Sequence, residues 1–148
     1  MKTRYLIASA IALTLQAAAI TPEAEKNFVE TYKKAFETND EKTLSSFLYT
    51  DGASQDTIEF FKMMQSAEAG KKASEIKLEA VSAEEAAKKS KPMEMPDGKM
   101  YVMPFLPTHQ LVIVIEQNDG SGKSTSTSKL PVAEHKGKIV IPIPVPAK

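Results

Sequence analysis

Leu111-Val112-Ile113-Val114-Ile115 is apolar at every position, and the turn residues Asn118-Asp119-Gly120-Ser121-Gly122 follow closely. A strand with one face in water alternates apolar and polar side chains. A run without alternation, rich in β-branched residues and closed by turn chemistry, reads as a strand covered on both faces. The rest of the chain must supply that cover, and it offers helices before the run and two more strands after it.

The helices carry local start and stop signals. Thr21 suits an N-cap, Pro22 the first helical position, and Glu23 and Glu25 complement the dipole. Phe28, Tyr32, Ala35 and Phe36 then form one apolar stripe. Asn39-Asp40 breaks this helix and caps a short second one carrying Leu44, Phe47 and Leu48. After the turn Tyr49-Thr50-Asp51-Gly52, Ser54 caps a third helix with the stripe Ile58, Phe61, Met64, which Phe60 and Met63 widen. Met63 and Met64 read as core, and Gly70 as the stop. Ser74 to Val81 alternates as a half-buried strand. Ser82-Ala83-Glu84-Glu85 is a capping box for a short helix that Pro92 ends.

Pro92 to Pro107 holds four prolines, four methionines and Asp97-Gly98. It reads as a long ordered loop, with room for a short strand at Met100 to Phe105; such loops in compact domains often carry function. Three strands follow: His109 to Gln117, Ser124 to Ala133 and, after a tight turn at His135-Lys136-Gly137, Lys138 to Val145. In the last, Pro142, Pro144 and Pro146 fall two apart. One side of that strand therefore lacks N–H donors, which implies an edge strand blunted against further pairing.

At the N-terminus, Lys2 and Arg4 precede an apolar stretch from Tyr5 to Leu15 and the small residues Ala17-Ala18-Ala19. This is the pattern of a signal peptide over residues 1–19, leaving one exported domain, periplasmic or secreted, over residues 20–148. The apolar stretch is shorter than the roughly 20 residues a membrane helix needs, so no membrane association is expected after cleavage. There is no cysteine, which excludes disulfides, thiolate–zinc sites and thiol catalysis, and the formal net charge is +0. That balance exerts no pull toward nucleic acid.

Helices first and then a mostly antiparallel sheet of about four to five strands indicate an α+β fold, with the N-terminal helices packed on one sheet face. The pattern Phe28-x-x-x-Tyr32-x-x-Ala35-Phe36-x-x-Asn39-Asp40-x-x-x-Leu44-x-x-Phe47-Leu48 resembles the opening of nuclear transport factor 2-like and SnoaL-like domains. The resemblance implies a cone-like domain with a curved sheet, often a homodimer, with a pocket between helices and sheet. Its members include isomerases, dehydratases and non-catalytic binders. Their catalytic residues have no matched positions in this chain, so none is assigned.

Gly120-Ser121-Gly122-Lys123-Ser124-Thr125 invites comparison with a phosphate-binding loop. The position that needs the first glycine is Gln117, and the residues after Lys123 favour a strand, so the segment reads as a hairpin tip. His109 shares a strand face with Leu111 and Ile113. Together with Tyr49, Asp51 and Tyr101 these residues are the pocket candidates, His109 being the one suited to general-base chemistry. Met93, Met95, Met100, Met103 and His109 are weak candidates for a soft-metal site, since thioether and imidazole suit Cu(I). His135 reads as a solvated turn residue and Glu116 as the exposed end of its strand. The favoured expectation is a non-catalytic small-ligand-binding or interaction module with an apolar pocket and no cofactor. A His-centred isomerase, dehydratase or hydrolase and a copper-binding protein are the alternatives.

Overall fold

The computed structural model describes residues 20–148; the leader expected over residues 1–19 lies outside them. In chain order the elements are α1 (Pro22–Glu37), α2 (Glu41–Ser46), β1 (Leu48–Tyr49), α3 (Gln55–Ser66), β2 (Glu75–Ala80), α4 (Ala83–Lys89), β3 (Met93–Glu94), β4 (Met100–Val102), β5 (His109–Asp119), β6 (Gly122–His135), β7 (Lys138–Pro142) and β8 (Val145–Pro146). The fold is α+β, with helices packed on an open, mixed five-stranded sheet.

Each helix begins where its capping chemistry places it. Thr21 Oγ1 accepts from Ala24 N–H, Asp40 Oδ1 from Thr43 N–H and Ser54 Oγ from Thr57 N–H. Both bonds of the Ser82–Glu85 capping box form, at 3.2 Å each. Helix α1 ends with Asn39 at φ +53, and its last carbonyls are taken by Asn39 N–H to Phe36 O and Asp40 N–H to Ala35 O. This is the Schellman closure, and asparagine tolerates the left-handed conformation it needs. Gly70 does not stop α3, which ends at Ser66. Instead, at φ +87, its N–H reaches Phe36 O at 2.7 Å and ties the segment after α3 to the end of α1. Ser54 holds α3 doubly, because its hydroxyl also pairs with the buried Thr57 hydroxyl at 2.8 Å. Ser54→Ala is expected to lower stability by about 1 kcal/mol, or about 4 °C in Tm, in thermal unfolding.

The main sheet runs β1-β7-β6-β5-β2, antiparallel except for the β1–β7 pair. This corrects two expectations. The closing strand is not the edge, since β1 lies outside it with Leu48 opposite Ile141 and Ile141 N–H donating to Phe47 O at 2.7 Å. Nor does it run on to Val145: the chain leaves the main sheet after Pro142, and Val145–Pro146 joins a second sheet ordered β3-β4-β8. The prolines explain both facts. Ile141 keeps a donor on the side where β1 pairs. On the other side β7 meets β6 only from His135–Lys138 to Ala133–Val140. Two residues further in this register stand Pro131 and Pro142, neither with an N–H to give, and the ladder stops there. The Met-rich segment is likewise less open than a loop, because Met93–Glu94 and Met100–Val102 pair as strands.

Leu111, Ile113 and Ile115 face the helices and join Phe28, Tyr32, Phe36 and Leu44 in the main core. Val112 and Ala133, on the opposite face, are buried as well. Lys77 and Lys129 flank Val112 in register, and their aliphatic stems cover it. Lys89 of α4 reaches Gln110 on this face at 3.1 Å. The cover ends at Val114, which is half-buried, and Glu116 is exposed as expected. Among the described residues, no helix is long and apolar enough to cross a membrane.

Candidate functional site

The polar signal sits on α3. Its buried positions are Thr57 and Gln65, whereas Met63 and Met64 are 63% and 50% exposed, so they are not core. Thr57, Phe61 and Gln65 are spaced i, i+4, i+8 and form one stripe, so the helix turns a partly polar line inward. Hydrophobic pattern alone selects the neighbouring Met stripe, because it cannot score a glutamine as buried.

Between this stripe, α1 and the inner sheet face lies a cavity of about 250 Å³. Tyr32 and Phe36 of α1, Phe61, Met64 and Gln65 of α3, and Ile113, Leu130 and Ile141 of the sheet enclose it. It exceeds the ~150 Å³ of an engineered apolar cavity that takes up benzene. Gln65 Nε2 donates to Tyr32 Oη at 3.4 Å. Gln65 is only 8% exposed, yet its Oε1 has no partner among the described residues. Turning the amide over would let Tyr32 donate to Oε1 and would strand the amide NH₂ instead. In either orientation one buried amide group is left over. Burial pushes the Tyr32 phenol up to about 12, against a smaller lowering from the Gln65 bond, so it stays a neutral O–H. At the rim, Glu68 accepts from Ser126 Oγ at 3.2 Å and Ser128 Oγ at 3.1 Å, which pins the turn after α3 to β6.

The candidates named from sequence are dispersed. Ile113 lines this cavity, while Leu111 is fully buried in the core. Tyr101 is buried at another pocket, and its hydroxyl donates to Asp97 Oδ2 at 2.7 Å, which holds Asp97 below the usual carboxylate range. Tyr49 lies edge-on to Phe105 and His135, whose rings stack at 4.9 Å with 4° between planes. His135 is thus half-buried in an aromatic cluster and not simply solvated. Desolvation and then the neighbouring Asp51 charge raise the Tyr49 phenol. His109 opens β5, its Nδ1 2.9 Å from Thr108 Oγ1. Three strand spacings separate β5 from β1, roughly 14 Å at ~4.8 Å per strand, so His109 does not converge with Tyr49. Of the methionines, Met93 and Met103 border one cavity, Met95 borders another and Met100 is 45% exposed. Among the described residues, no group of three or more His, Cys, Asp or Glu side chains is placed to hold a metal ion.

Sequence pattern placed Tyr32 in the core but gave no sign of its partner, and it did not select Gln65 or Glu68. The available signal was the spacing Thr57-Phe61-Gln65, legible only once the helix face is known. Comparison with protein-family models, with curated proteins and with solved structures gives no match.

Proposed function

We propose that this chain is a non-catalytic binding protein for a small, mostly apolar molecule carrying one hydrogen-bonding group, seated between α1, α3 and the sheet. The observation that carries this is the leftover amide group of Gln65 in a mostly apolar cavity, beside a Tyr32 hydroxyl kept neutral by burial. Apolar walls with a few convergent polar groups are the composition of a ligand site. A buried polar group without a partner costs about 1–3 kcal/mol, which a ligand hydroxyl would relieve by donating to Oε1 and accepting from Tyr32. A pocket between helices and sheet is also where the resemblance to nuclear transport factor 2-like and SnoaL-like domains leads one to look. The leader pattern of residues 1–19 supports a site of action outside the cytoplasm, in the periplasm or beyond the cell.

Benzyl alcohol and toluene probe this reading directly. Benzyl alcohol is expected to shift the Met64 and Ile113 methyl resonances in NMR titration, with toluene binding at least tenfold more weakly. Gln65→Leu is expected to reverse that preference and to stabilise the ligand-free protein by about 1 kcal/mol. Methyl shifts that stay fixed in millimolar benzyl alcohol would sink the proposal.

A further inference from the structure

The β6–β7 ladder ends at Ala133–Val140, and Pro131 and Pro142 follow in register. Beside that end lies a second cavity of about 270 Å³, bordered by Met93, Met103, Pro131, Pro142 and Lys89. Phe61 and Lys129 line this cavity and also the inner one. The two spaces therefore lie on opposite faces of one sheet and share a wall, at the place where Pro131 and Pro142 end the ladder. Phe61, on α3 and half-buried, is the aromatic side chain common to both cavities.

The two ends of this pair of cavities differ in charge. The inner end offers the neutral Gln65 amide and Tyr32 hydroxyl, with the Glu68 carboxylate beside them already accepting from Ser126 and Ser128. The outer end has the Lys89 ammonium, and Lys129 stands on the wall that the two cavities share. Lys89 donates to the neutral Gln110 at 3.1 Å, and among the described residues neither Lys89 nor Lys129 has a carboxylate within 4.0 Å. Glu79, which feels the Lys129 charge, is already engaged by Lys77 at 3.2 Å and Gln110 at 3.1 Å. Ammonium groups at the mouth of an apolar pocket select an anion, and the flexible methionines Met93 and Met103 adapt to an unbranched chain.

We infer that the two cavities form one elongated site for a medium-chain carboxylic acid bearing a hydroxyl at its far end. The carboxylate pairs with Lys89 and Lys129, the chain passes the Phe61 ring beside the end of the ladder, and the hydroxyl meets Gln65 and Tyr32. The inference rests on the ligand-binding reading of the inner cavity and adds the ligand class. Binding moves the Phe61 side chain aside, a rotamer change that needs no strand rearrangement.

Methyl NMR of the protein with 10-hydroxydecanoate tests it, since Met64 reports on the inner cavity and Met93 and Met103 on the outer. All three are expected to titrate with one dissociation constant, and 1,10-decanediol and decanoate are each expected to bind about tenfold more weakly. Lys129→Gln is expected to remove the advantage of the acid over the diol and to reduce the salt dependence of binding. If benzyl alcohol moves Met64 while 10-hydroxydecanoate moves only one set of methyls, or moves the two sets with different constants, the continuous site is wrong and the inner-pocket reading survives. If neither probe moves Met64, both fall.

Discussion

Leu111→Ala is expected to destabilise the protein by about 2–5 kcal/mol, the largest effect of any single truncation on β5. Leu111 is fully buried on the face that meets the helices, between β2 and β6 in the sheet order. Its loss removes the transfer free energy of the missing carbons and leaves a cavity that two flanking strands hold open, since their hydrogen-bond ladders resist collapse. Val114→Ala, three residues along on the other, half-covered face, is expected to cost about 1 kcal/mol. Equal losses for the two in urea unfolding would mean that the face assignment of the strand is wrong. The contrast matters for the site as well, because Ile113, two residues on from Leu111 and on the same face, forms a wall of the inner cavity.

The second large effect depends on pH. The Tyr32 phenol titrates at about 12 in the folded protein against 10.0 ordinarily, because burial penalises the phenolate. A pKa raised on folding contributes stability that is fully present below pH 10 and is lost as pH rises through 12, because the unfolded chain releases the proton first. Two pKa units correspond to about 3 kcal/mol. Tyr32→Phe removes this dependence and also takes away the partner of Gln65, at a cost of about 1–2 kcal/mol near neutrality. The variant is therefore expected to be the less stable protein at pH 7 and the more stable one near pH 12. Lysine deprotonation acts on both proteins alike and drops out of the comparison. Parallel curves of chemical stability between pH 9 and pH 12 would show that Tyr32 is not held in a dry site.

Both experiments address residues that sequence pattern assigned to the core. Those that complete the candidate site were harder to see. Gln65 was invisible because its partner lies 33 residues away on another helix, and no local rule favours burying an amide. Glu68 reads as an ordinary surface carboxylate until Ser126 and Ser128 are found beside it, 58 and 60 residues on. Met63 and Met64 misled in the opposite direction: their apolar character suits a core, but α3 presents the Thr57–Phe61–Gln65 line to the sheet. His109, chosen because it shares a face with an apolar run, has no acidic partner among the described residues: Tyr49 lies on β1, three strands away, and Asp51 in the turn just after it.

What the sequence determined by itself is local. Capping residues placed the start of every helix, because a cap bonds to an amide two or three residues away. The unbroken apolar run marked β5 as covered on both sides, which holds as far as Ile113, and Gly122-Lys123-Ser124 proved to open a strand, as its alternating Ser and Thr residues indicated. The prolines at 142, 144 and 146 suggested one edge strand with a donor-free side, but only Pro142 lies in β7, Pro146 belongs to another sheet, and Pro144 lies between them. Only the tertiary structure decided where the strand ended and what paired with it. Whether a strand lies at an edge depends on what pairs with the donors it retains, and here Phe47, just before a two-residue strand from far earlier in the chain, takes the N–H of Ile141. The early end of the β6–β7 ladder has the same origin. Pro131 and Pro142 are unremarkable apart, and they end the ladder because the hairpin register sets them opposite each other, with Phe61 lining the cavity beside them.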